Sequence, residues 1–91
     1  MSALGPATDA VSASPSVAAV RASLLRDAIF EMMEPVEHDS AAARLCLIND
    51  DDVGARYHLK RVVECVRAAA ATFKELEALT RDHSAASERA A

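Results

Sequence analysis

Ninety-one residues leave room for one small domain at most, and the 52% that are hydrophobic include many alanines and only three aromatics, Phe30, Tyr57 and Phe73. A net charge of −4 argues against a nucleic-acid partner, and no run approaches the roughly 18 apolar residues of a membrane span. Two cysteines, Cys46 and Cys65, are too few for a disulfide scaffold and read as reduced thiols, and no basic segment leads into an apolar run at the start, so a soluble, cytoplasmic chain is expected.

Residues 1–15 are rich in Ala, Ser, Gly and Pro, the composition of a solvated tail. Ser14, Pro15 and Ser16 form a helix start, a serine on either side of a proline whose fixed φ suits a first turn. From there Ala18, Ala22, Leu25, Ile29, Met32 and Val36 recur at steps of three and four, and Val17, Val20 and Leu24 widen the stripe. Pro35 removes a backbone donor, which predicts an end or a kink within 33–38. Asp39 or Ser40 then caps a short second helix over about 41–48 that carries Leu45, Leu47 and Ile48.

Asn49 to Asp52 break the pattern and supply an acidic cap for a third helix. Over 52–81 the apolar seam of Leu59, Val62, Val66, Ala69, Phe73 and Leu76 marks that helix, beside a weaker stripe of His58, Cys65, Thr72 and Leu79 at seven-residue intervals. Residues 82–91 hold no large apolar side chain and read as a second tail. The expected fold is therefore all-α: a hairpin domain over 16–81, made of two long antiparallel helices with a short intervening one. Both long helices are apolar over more surface than one neighbour covers. This predicts a homodimer closing into a four-helix bundle, with Leu25, Ile29, Met32, Leu59, Val62, Val66, Phe73 and Leu76 at the interfaces.

Charge divides along the chain. Residues 27–52 hold eight acidic residues against one basic, and residues 53–74 five basic against one acidic. Lys60, Arg67 and Lys74 recur every seven residues, placed to pair with Asp27, Glu31 and Glu34 within or between subunits. A phosphate-binding strip is disfavoured, because no aromatics are interleaved for stacking.

Candidate chemistry is sparse. Glu31, Glu34 and His38 would share a helical face, but the Glu-x-x-His pairing of bundle metal sites is absent. Cys46, His58, Cys65 and His38 are ligand types that zinc accepts, without the paired close spacings of zinc modules. Two glycines and a narrow helical core leave no pocket for nucleophilic catalysis. Neither an enzyme nor a bound cofactor is expected. The expectation is a small adaptor or chaperone-like module that binds an amphipathic helix of another protein, with a metal-binding helical bundle as the alternative.

Overall fold

The computed structural model describes residues 16–90, so the 1–15 tail lies outside the described residues. It contains two α-helices in contact, α1 (Val17–Ile48) and α2 (Asp52–Ala90), joined by a short turn. Among the described residues there is no strand, and no helix is long and apolar enough to cross a membrane.

α1 opens where its cap chemistry allows. Ser16 is extended, and its Oγ accepts a hydrogen bond from the Ala19 N–H at 3.0 Å. The helix does not end at Pro35 but runs on through it, and residues 41–48 belong to it rather than to a separate short helix. Proline in a helix interior costs about 3 kcal/mol. Packing on both sides offsets that cost here, because the stripe from Ala18 to Val36 continues in the same three-four rhythm through Asp39, Ala43 and Cys46, all buried or half-buried against α2. Asp39 caps no helix; it lies inside one.

The turn follows a defined hydrogen-bond pattern. Asp50 adopts the left-handed conformation at φ 58°, its N–H donates to the Leu47 carbonyl, and the Asp51 N–H donates to the Cys46 carbonyl at 2.8 Å. This is the double closure of a Schellman motif, made with aspartate where glycine is usual. Asp51 then caps α2 by accepting from the Gly54 N–H at 2.9 Å.

Gly54 is present for want of space. A Cβ there would lie 2.8 Å from the Cys46 Sγ and closer still to the Asp51 carboxylate. Alanine is ordinarily the better helix former by about 1 kcal/mol, but here it pushes away the cap. Gly54→Ala is therefore expected to lower stability by about 1 kcal/mol in urea titration. A gain in stability would mean that the cap tolerates the methyl group.

α2 continues past Arg81 to Ala90, through the segment that composition marked as a tail. Alanine, glutamate and arginine in that stretch keep a helix going without large apolar anchors. The face of α2 turned to α1 combines the two predicted stripes. Ala55, His58, Val62, Cys65, Ala69, Thr72, Leu76 and Leu79, again at three-four steps, are buried or half-buried, whereas Leu59, Val66 and Phe73 are exposed. Among the described residues the buried apolar core consists of Ala43, Ala55, Ala69 and Leu76. Three of these four are alanine, so the helices gain close approach but bury little apolar area.

Candidate functional site

Two features stand out on this framework: a buried charged cluster between the helices and an apolar face left open on one side of the hairpin. The cluster centres on Asp39, only 1% exposed and the most deeply buried side chain among the described residues. Just under two turns and about two and a half turns into α2, His58 and Arg61 reach back to it. The His58 Nδ1–H donates to Asp39 Oδ1 at 2.7 Å, and the Arg61 Nε–H is shared between Oδ1 at 3.3 Å and Oδ2 at 3.1 Å. Both carboxylate oxygens are thus paired, and among the described residues no buried side-chain nitrogen or oxygen lacks a partner.

Charge and hydrogen bonding act together in this cluster. The His58 hydrogen bond, aided by the Arg61 guanidinium, lowers the Asp39 carboxyl below its ordinary 3.8 against the opposing pull of burial. Asp39 in turn raises the Arg61 guanidinium above its ordinary value. Tyr57 packs its ring edge against His58, with centroids 5.1 Å apart, and lies 5.9 Å under the Arg61 guanidinium carbon. The arrangement orients Arg61 and His58. It fixes which residues of the two helices stand opposite each other.

Helical spacing had placed His58 at the margin of the seam and Asp39 at a helix start, and it gave Arg61 no role. The signal for the cluster is an aspartate at a heptad position between Val36 and Ala43, with His58 and Arg61 three apart on the other helix. That signal is readable only when α1 is taken as continuous.

The metal candidates do not converge. Glu31, Glu34 and His38 are exposed along α1, whereas Cys46, Cys65 and His58 are half-buried between the helices. Among the described residues no group of three or more His, Cys, Asp or Glu could hold an ion. Cys46 and Cys65 are free thiols, and burial, reinforced by Asp51, raises Cys46 above the ordinary thiol value, away from a reactive thiolate.

The predicted interface residues divide into two sets. Leu25, Ile29, Met32, Val62 and Leu76 pack between α1 and α2. Leu59, Val66 and Phe73 instead line one broad side of the hairpin, with 51%, 44% and 48% of their surfaces open. Open grooves join this row to α1, one reaching from Leu59 and Val63 to Leu47, another from Phe73 to Arg26. Met33 falls between Arg26 and Leu47 at seven-residue spacing, and Phe30, 80% exposed, lies on the same side. The opposite side carries the Arg21–Glu75 pair at 3.9 Å, Ala28, Pro35 and Ala68. That opposite side also exposes Leu24 near the open end and Leu45 and Tyr57 near the turn, whereas Leu59, Val63, Val66 and Phe73, with Leu47 across the groove, form one continuous row along the first side.

Comparison with protein-family models, curated proteins and solved structures finds no match for this chain.

Proposed function

We propose that the protein is a non-enzymatic helical interaction module that works as a homodimer through its apolar side, in a coiled-coil-like four-helix packing, and offers an adaptor or chaperone-like surface to amphipathic helices of other proteins. The observation that carries this reading is the continuous exposed row of Leu59, Val63, Val66 and Phe73, with Leu47 across the groove. With residue areas of roughly 150–250 Å², these side chains and Phe30 leave roughly 600 Å² open, comparable with the about 800 Å² that each partner contributes to a standard interface. An isolated hairpin gains nothing from leaving that much apolar surface in water.

The metal-binding alternative is less favoured: Glu31, Glu34 and His38 share one exposed face of α1, apart from the half-buried Cys46, Cys65 and His58, and among the described residues no group of three or more such side chains is placed to hold an ion. Light scattering tests the preferred reading. The parent chain is expected at twice its 9.6 kDa mass, and Val66→Asp at the mass of one chain with its helical circular dichroism largely retained. A well-folded parent monomer at micromolar concentration, or a Val66→Asp protein that stays dimeric, would falsify the proposal.

A further inference from the structure

The outer edges of the hairpin carry opposite charges. On α1, the residues farthest from α2 include Asp27 and Glu34; on α2, those farthest from α1 include Lys60, Arg67 and Lys74, and all five are exposed. The sequence pattern had allowed these groups to pair within one chain. Among the described residues, however, the ion pairs are Arg21–Glu75, His58–Asp39 and Arg61–Asp39, and none involves these edges. The hairpin itself prevents it, since each edge points away from the other helix.

Two hairpins can bury their apolar sides against each other about a two-fold axis in only two ways. An axis running across the helices lays α1 on α1 and α2 on α2, which sets acidic edge beside acidic edge and basic beside basic. An axis running along the helices lays α1 on α2 of the second copy and brings both turns to the same end. We infer that a second copy of this chain docks on the apolar side in the latter way, with the acidic edge of α1 along the basic edge of the partner's α2.

Heights along the hairpin agree with this pairing. Cross-helix contacts put Asp39 level with Arg61 and Met32 level with Thr72. Carried along the outer edges, the same alignment sets Asp27 at about the height of Lys74 and Glu34 at about the height of Arg67. A twofold along the helices preserves height, so each acid meets a base, and the exposed Ile48 meets the exposed Val53 beside the turn. The open apolar area and the charge pattern thus select the same occupant in one orientation. Charges at the rim of an interface fix orientation more than affinity, which is the role assigned to them here.

The inference rests on the dimer proposed above, and reversing charge on one edge at a time separates the two. In the parallel-axis dimer, Asp27→Lys with Glu34→Lys creates four like-charge encounters, as does Arg67→Glu with Lys74→Glu. Each double variant is expected to weaken dimerisation at least about tenfold by sedimentation, and the quadruple variant to return close to the parent. Added salt is expected to weaken the parent dimer. Double variants that dimerise as well as the parent, or a parent dimer that tightens with salt, overturn the orientation while leaving the dimer intact. A monomeric parent overturns the dimer itself. Should a double variant lose its helix content, the salt dependence of the parent decides.

Discussion

Leu76→Asp is expected to abolish the cooperative melt of the protein, leaving a chain with little helix at 25 °C. Among the described residues Leu76 is the one large apolar side chain in a buried core otherwise made of alanines, and only 6% of it is open. Truncating a buried leucine costs about 2–5 kcal/mol before any charge is considered, and an unpaired carboxylate facing α1 adds a desolvation penalty. A helical core of this size supplies only about 3–5 kcal/mol in total, so nothing remains to hold the hairpin closed. Val66, also in the predicted seam, sets the contrast: the same substitution there meets water and costs association rather than folding. Circular dichroism melts of the two variants side by side make the comparison, and equal melts would mean that the two residues are equally buried.

The second large effect belongs to Asp39. Asp39→Ala removes the acceptor of His58 and Arg61 and leaves their donors facing a small void, and a fall in melting temperature of about 10 °C is expected. The pH response carries the more specific signature. Because the folded carboxyl titrates below its ordinary 3.8, the ionised form is the one that folding favours. Its contribution is complete above about pH 5 and is lost as pH falls through 3.8 toward the folded value. The parent is therefore expected to lose urea resistance steeply below about pH 5, and Asp39→Asn to begin weaker at neutral pH and decline less. Parallel declines for the two proteins would show that Asp39 contributes nothing through its charge.

These two residues also mark how much of the fold was legible in the sequence. The helical class, the two long amphipathic segments and the polar turn at Asn49–Asp52 follow directly from three-four spacing and cap chemistry. Pro35 misdirected the boundary within α1, because its local penalty is visible in sequence whereas the packing that overrides it is not. In sequence the seam of α2 forms one stripe, yet its members serve two faces. Val62, Ala69 and Leu76 turn to α1, and Leu59, Val66 and Phe73 turn outward. Apolar spacing alone cannot separate a stripe that one neighbour covers from a wider one that needs two.

The turn has a consequence for how contacts depend on one another. The bonds from Asp39 to His58 and Arg61 close loops of 19 and 22 residues, whereas the meeting of Met32 and Thr72 closes one of 40. Loop-closure entropy rises with length, so a distant contact is inexpensive only after the nearer ones have shortened the free chain. The hairpin therefore behaves as a zipper whose fastening lies at one end. Asp39, His58 and Arg61 form the first strong clasp beyond the Schellman turn, and each contact farther out is conditional on that clasp. A change near the turn is felt along the whole length of both helices, whereas a change near Val17 or Ala90 frays only the open end.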